Sequence, residues 1–368
     1  MNASSASSPR VLMVTARFPP LSGGIETHVK EVAPRLARLG LQVEVLTTDL
    51  SGEQPRRELV DGVEVVRIPA YPRGRDYYFA PGILPHIRAG RYDLVHLQGY
   101  HNLVAPLTMF AAWRARTPYV VSFHSGGHSA RLRRMVRGLQ RLALRPGFTT
   151  AARLVAVSEF ELDLFRRSLG LRRSRFALIR NGCRMPPPAT APDPNRPLVL
   201  SVGRLERYKG HHRLVAAWPF VLERRPTAHL RILGVGPYEA DLRRQVVELG
   251  LSGQVEITSI PAGNPQAMSD ALGQANLVAL LSDYEAHPVA VVEALAVERP
   301  VLVTESSGLR EIVTAGLARG IPPDAGSEEI ARAVLQQVET PLVVSTAALP
   351  TWDDCALRLH DLYRSVLA

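Results

Sequence analysis

Of the 44 basic Lys and Arg side chains in this 368-residue sequence, only Lys30 and Lys209 are lysines. Lys209 falls in the run Gly203-Arg204-Leu-Glu-Arg-Tyr-Lys209-Gly210. A chain that otherwise uses arginine and keeps one lysine here asks for a compact ammonium at that point. The run follows an apolar stretch, Leu198–Val202, and leads into a helical pattern. Free backbone N–H groups and the positive end of a helix dipole therefore stand beside Arg204 and Lys209. That combination suits a pyrophosphate. It is not a Walker loop, because no Ser or Thr follows the lysine and the glycine spacing differs.

A second group is Asp283-Tyr-Glu285-Ala-His287-Pro288-Val289-Ala-Val-Val-Glu293. Pro288 suits the first turn of a helix, where its missing N–H costs nothing. This places Glu285 in a loop and Glu293 on a helix. Two carboxylates could form the acid and nucleophile of a glycosidase, or they could have separate tasks. Gly23-Gly24, between an apolar run and a helical pattern, would let backbone approach a phosphate without a Cβ in the way. His124-x-x-x-His128 has the spacing of a metal pair but no third ligand nearby. The sequence contains no Asp-x-Asp to carry a metal on a diphosphate. No metal or other cofactor is expected.

The elements that position these residues read as strand–helix alternation. Val11–Ala16, Val43–Leu46, Val63–Ile68, Leu94–Leu97, Tyr119–Phe123 and Leu154–Val157 are short apolar or β-branched runs separated by helical stretches. Six prolines between Arg184 and Pro197 interrupt this pattern and mark a linker. Beyond it Leu198–Val202, Leu230–Leu233, Val255–Ile257, Leu277–Leu281 and Val301–Val303 resume it. The fold class is α/β, with two Rossmann-like domains facing across a cleft at their strands' carboxyl ends. We place them at residues 1–188 and 189–350. Residues 351–368 form a terminal helix that packs back across the linker.

With these residues in view, the chain resembles glycosyltransferase family 4, the retaining GT-B glycosyltransferases. Gly23-Gly24, Phe123-His124, Val157-Ser158-Glu159, Asn181-Gly182, the Gly203–Gly210 loop and the Glu285/Glu293 spacing carry the resemblance. It implies a nucleotide-sugar donor held mainly by the second domain and an acceptor of unidentified structure held by the first. Arg204 and Lys209 would hold the diphosphate and stabilise it as it leaves. Glu285 would contact the donor sugar and Glu293 the ribose. Amides at His287 and Val289 would touch sugar or phosphate, Gly24 would close on the phosphate, and His124 would lie beside the transferred sugar. Family members often carry glycine where this chain has Ala286. Alanine fits only if that position does not require a positive φ. The rival readings are a sugar-nucleotide epimerase of the same fold and a non-catalytic carbohydrate- or membrane-binding protein.

Composition narrows the setting. The hydrophobic fraction of 46% and charged fraction of 21% are those of a globular protein. Cys183 and Cys355 make no disulfide framework. The longest apolar stretch, Leu103 to Trp113, falls short of the roughly 20 residues a bilayer requires. Met1 to Ser8 carries no secretory signal, so the expected location is cytoplasmic. The net charge is +10. Between Asp93 and Glu159 the chain has no acidic residue and nine arginines. Arg131, Arg133, Arg134, Arg137, Arg141 and Arg145 belong to one helical segment, with Leu132, Met135, Leu139 and Leu142 at helical spacing on another side. Arg131–Arg145 could lie on an anionic membrane surface at its inner face, or its leucines could face a core beneath a solvated arginine face. No aromatic residue interleaves the arginines, so nucleic acid is not expected as a partner.

Overall fold

Strand-forming runs alternate with amphipathic helices twice along the chain, and each alternation closes a sheet of its own. The computed structural model describes residues 8–21, 23–73, 78–125, 131–261, 264–345 and 349–368, and of residues 131–137 the backbone alone. One compact unit comprises Met1–Ser125, Met135–Gly182 and Pro350–Ala368; the other is built on Cys183–Leu349.

The first unit runs β1 (Arg10–Thr15), α1 (Gly24–Arg38), β2 (Gln42–Asp49), β3 (Arg57–Val60), β4 (Val63–Pro69), α2 (Ile83–Gly90) and β5 (Leu94–Gln98). It continues with α3 (Val104–Ala115), β6 (Tyr119–Ser122), α4 (Arg131–Thr150), β7 (Arg153–Ala156), α5 (Glu159–Leu169) and β8 (Phe176–Leu178). The strand order is β3-β4-β2-β1-β5-β6-β7-β8. All neighbours are parallel except β3 and β4. That antiparallel pair turns at Asp61-Gly62, whose φ values of 49° and 82° suit a two-residue primed hairpin. The central strands are buried on both faces, which explains their continuous apolar runs. One core packs α2, α3, α4 and α5 residues onto the sheet, around Tyr100, Phe123, Phe148 and Phe165. A separate core holds α1 together with Trp352, Leu359 and Tyr363.

The second unit runs β9 (Leu198–Val202), α6 (His211–Arg224), β10 (His229–Leu233), α7 (Glu239–Glu248), β11 (Val255–Thr258), α8 (Pro265–Gln274) and β12 (Leu277–Leu280). It then forms α9 (Val289–Ala296), β13 (Val301–Thr304), α10 (Leu309–Thr314), β14 (Arg319–Ile321) and α11 (Ser327–Glu339). Its sheet is parallel throughout, in the order β11-β10-β9-β12-β13-β14. The order reverses at β9 and β12. The loops after those two strands carry Lys209 and Glu285, at the carboxyl edge where doubly wound sheets bind ligands. The terminal helix α12 (Trp352–Leu367) opens on a capping box formed by Thr351 and Asp354. Its apolar side packs with α1 in the first unit.

Candidate active site

The Gly203–Gly210 loop leaves β9, makes a single 3₁₀ turn at Arg207–Lys209 and enters α6 through Gly210. Gly210 has φ +76°, and a Cβ there would collide with the Leu281 carbonyl. Only glycine combines that backbone with that approach. The loop is held from both sides. Leu205 N–H donates to Val235 O at 3.0 Å, and Asp283 N–H donates to Tyr208 O at 2.7 Å. His211, fully buried, donates to or accepts from Ser201 Oγ at 2.9 Å, and burial lowers its pKa to about 4. It is a neutral strut under the loop.

Lys209 and Glu285 meet. Their Nζ and Oε1 atoms are 2.5 Å apart, and Ser282 Oγ donates to the same carboxylate oxygen at 2.8 Å. Burial pushes the Lys209 ammonium towards neutrality, but the facing Glu285 carboxylate outweighs it and the pKa is raised. The Glu285 backbone is fixed as well. Its N–H donates to Ser307 Oγ at 2.8 Å, and its carbonyl accepts from Gly308 N–H at 2.8 Å. Gly308 is required there, because a Cβ would strike the Ala286 carbonyl. Ala286 itself is absent from the positive-φ residues, so alanine sits at that position without strain.

The other expected donor-side residues sit nearby in the chain but make different contacts. Arg204 is exposed and pairs with Glu206 at 3.4 Å. His287 is half-buried, and Val289 opens α9, whose first amides lack intrahelical acceptors. Glu293 is half-buried on α9 and, among the described residues, has no hydrogen-bond or ion-pair partner. Burial alone raises its pKa to about 7. The structure thus brings Lys209 and Glu285 together and leaves Glu293 as a lone carboxyl.

In the first unit, Gly23 caps α1 in an extended conformation, φ 173°, and its carbonyl accepts from Thr27 N–H at 2.9 Å. Gly24 is the first residue of that helix. His124 follows β6 with φ +45°, in the left-handed region where a side chain is disfavoured. Its Nε2 lies 2.8 Å from Gln98 Oε1. Gln98 Nε2 lies 3.1 Å from Nδ1 of His96, and that nitrogen is also 2.5 Å from the Tyr363 hydroxyl of α12. Burial lowers the His96 pKa to about 3 and that of His28 to about 4. The His28 ring stands 4.7 Å from that of His124, and its Nδ1 is 2.9 Å from Asn181 Oδ1. Burial thus keeps His28 and His96 neutral.

Two residues escaped the sequence reading. Glu161, fully buried, accepts from Ser125 N–H at 2.5 Å and from Val157 N–H at 2.9 Å, so it pins the turn just after His124. Ser158-x-x-Glu161 has capping-box spacing, and Ser158 does cap α5; the carboxylate, though, serves Ser125 and Val157. Gln98 carried no motif signal. His128 lies outside the described residues. Among the described residues, no group of three or more His, Cys, Asp or Glu side chains is placed to hold a metal ion.

Two family profiles match the chain. One, described as a glycosyl transferase 4-like domain, matches residues 23–182; the other, glycosyl transferases group 1, matches residues 187–345. A GDP-mannose:cellobiosyl-diphosphopolyprenol alpha-mannosyltransferase from Xanthomonas campestris is 32% identical over 298 residues, covering 78% of this chain and 76% of the relative. The chain belongs to glycosyltransferase family 4. A D-inositol 3-phosphate glycosyltransferase from Nocardiopsis dassonvillei is 28% identical, covering 94% of this chain and 90% of its own. The sucrose-phosphate synthase structure from Thermosynechococcus elongatus superimposes with a TM-score of 0.79 at 20% identity, covering 97% of this chain and 99% of that one. HepE from Anabaena, solved with UDP and glucose, gives 0.75 at 18%, covering 96% and 99%. The fold of this glycosyltransferase is GT-B, and its reaction is sugar transfer from a nucleotide sugar.

The arginine-rich segment forms α4, with the side chains of Arg131–Arg137, and so Leu132 and Met135, outside the described residues. Further along, Leu139 and Leu142 do not face the core. They are 73% and 66% exposed, while Leu144 and Phe148 pack inward. Arg141 Nε is buried, and Arg145 Nε donates to Leu169 O at 3.1 Å. The helix has an apolar side that faces away from its own core. None of the described helices is long and apolar enough to cross a membrane.

Proposed function

We propose that this enzyme is a retaining, metal-independent transferase that moves a sugar from a nucleoside diphosphate sugar to a hydroxyl of a lipid-linked saccharide at the inner face of the membrane. The observation that carries the donor half is the Lys209–Glu285 pair at the carboxyl edge of the second sheet, beside the amino ends of α6 and α9. Arg204, Lys209 and the α6 amides take the diphosphate. A phosphate oxygen replaces Glu285 on Lys209 and frees that carboxylate for the sugar hydroxyls. Glu293 receives the ribose hydroxyls. Amides at His287 and Val289 touch sugar or phosphate, the Gly23-Gly24 turn closes on the phosphate, and His124 lies beside the sugar.

In the transfer, the bond from the anomeric carbon to the diphosphate oxygen breaks while the acceptor hydroxyl bonds to the same face. Its proton passes to the departing phosphate. Negative charge grows on the leaving group, and Arg204 and Lys209 would meet it there. The acceptor half is supported by the Xanthomonas relative, named for a diphosphopolyprenol acceptor, and by the acid-free arginine-rich stretch.

Thermal-shift measurements with UDP, GDP, ADP and dTDP test the donor reading, since a ligand of the native state raises stability by mass action. One of the four is expected to stabilise the protein and its sugar derivative to be turned over with retained anomeric configuration. Stabilisation by none, or release of an epimerised nucleotide sugar, overturns the reading.

A further inference from the structure

Helix α3 has apolar residues on two sides. Val104, Ala105, Met109 and Ala112 are buried against the sheet. On the opposite side Phe110 and Trp113 are 53% and 58% exposed, with ring centroids 6.0 Å apart, and Leu103 at the helix start is also exposed. Such a helix belongs inside a core or against a second apolar medium. Its neighbour on the same face of the sheet is α4. The two touch where Gly147 meets Met109; a Cβ on Gly147 would lie 2.7 Å from the Met109 sulfur. The outward side of α4 is apolar too, through Leu139 and Leu142. Both helices, packed into the same core, therefore carry exposed apolar side chains on the sides turned away from it.

Exposed arginines flank them. Arg88 and Arg91 at the end of α2, and Arg114 and Arg116 at the end of α3, are exposed. No acidic residue occurs anywhere between Asp93 and Glu159. Aromatic rings of this kind favour the level of lipid headgroups, and each basic residue near an anionic leaflet adds on the order of 1 kcal/mol. We infer that Phe110 and Trp113 of α3, beside Leu139 and Leu142 of α4, insert into an anionic lipid bilayer and dock the first unit on it. This rests on the lipid-linked acceptor proposed above and names the surface that meets that acceptor's membrane.

The chain reports on itself. It has three tryptophans, and Trp218 and Trp352 are buried, so Trp113 alone is exposed. Full-length protein is mixed with vesicles of equal phosphatidylcholine and phosphatidylglycerol, with or without brominated acyl chains. The expected result is a blue shift and bromine quenching of emission, both absent in Trp113→Ser. Phe110→Ser with Trp113→Ser should sediment with vesicles about tenfold less well, while its hydrolysis of the donor stays unchanged.

Sedimentation without bromine quenching would mean attachment by charge alone, which overturns the inference and leaves the membrane-bound reading intact. Failure to sediment even at low salt overturns both, and turnover of the donor still judges the donor half separately. If Trp113 becomes shielded from iodide as protein concentration rises without vesicles, the surface joins two copies of the chain and the inference falls.

Discussion

The loops after the two sheets differ in their electrostatics. In the second unit the functional loops bring together charged groups, Lys209 against Glu285 at 2.5 Å, at the start of helices. In the first, His124 is held by an uncharged chain running through Gln98 and His96 to Tyr363, with burial keeping His28 and His96 neutral. A diphosphate that gains charge on leaving needs cations. In the function proposed above, the sugar beside His124 would instead need hydrogen bonds at fixed angles. The division also explains why the charged half shows in residue types, whereas the neutral half depends on packing.

Removing the charged side should have the largest effect. Lys209→Ala is expected to lower turnover about 10²–10³-fold, the usual loss for one preorganised donor at a developing anion. The substitution also leaves Glu285 buried without its cation, so the melting temperature should fall, and turnover is compared at a temperature where the variant is folded. Turnover within a few-fold of the parent would show that the diphosphate lies elsewhere.

Loss of the neutral side should cost less and differently. With Gln98 Oε1 as acceptor, His124 carries its proton on Nε2. Gln98→Leu should reduce kcat about tenfold with donor KM almost unchanged, and the ¹⁵N shifts of the His124 ring should report a changed tautomer. A fall in kcat with the tautomer intact would reduce Gln98 to a packing residue.

Glu293 provides a smaller, pH-dependent effect. Its folded pKa of about 7 lies above the unfolded value of 4.5. The folded state therefore binds more protons between those values, so this group's contribution falls as pH rises from 4.5 to 7 and is level above. Glu293→Gln should remove that slope, which melting curves at pH about 5 and about 8 would reveal as a shift of a few degrees. Ribose hydroxyls donating to the carboxylate favour its ionised form, so nucleotide affinity should rise a few-fold across about pH 7 in the parent and stay flat in the variant. A parent with flat affinity would remove Glu293 from the ribose.

The smallest expected change is none. Excess EDTA should leave turnover unaltered if, as proposed, Arg204, Lys209 and helix amides supply the compensating charge. Complete loss restored by Mg²⁺ would break the comparison, since the charged unit would then need an ion.

Much of the frame was legible because buried parallel strands announce themselves as apolar runs. Leu198–Val202 is read and found with the same limits, and most other strands differ by a residue or two. The short edge strands β8 and β14, with three residues each, lack a run long enough to read. Strand β3 has an exposed, alternating pattern, yet its Asp61-Gly62 turn was there to be noticed. At the site, Lys209 and Glu285 stood out by rarity and spacing, whereas their 2.5 Å pairing depends on loops 76 positions apart. Glu161 hid inside an ordinary capping signal. Helical periodicity gave α4 its two sides but could not say which one faced the sheet, because Leu139 and Leu144 are equally apolar.

The capping box at Thr351 and the burial of Trp352, Leu359 and Tyr363 beneath α1 have a bearing on synthesis. Residues 183–349, with their own two cores, leave the ribosome before this helix does. The earlier-made unit therefore waits with one face of its sheet covered by α1 but not yet by α12, while the later-made one has its own helices in place. Nascent chains arrested after about residue 345 should then carry a protease-resistant second unit beside a cleavable first one, so that the order of folding is the reverse of the order of translation.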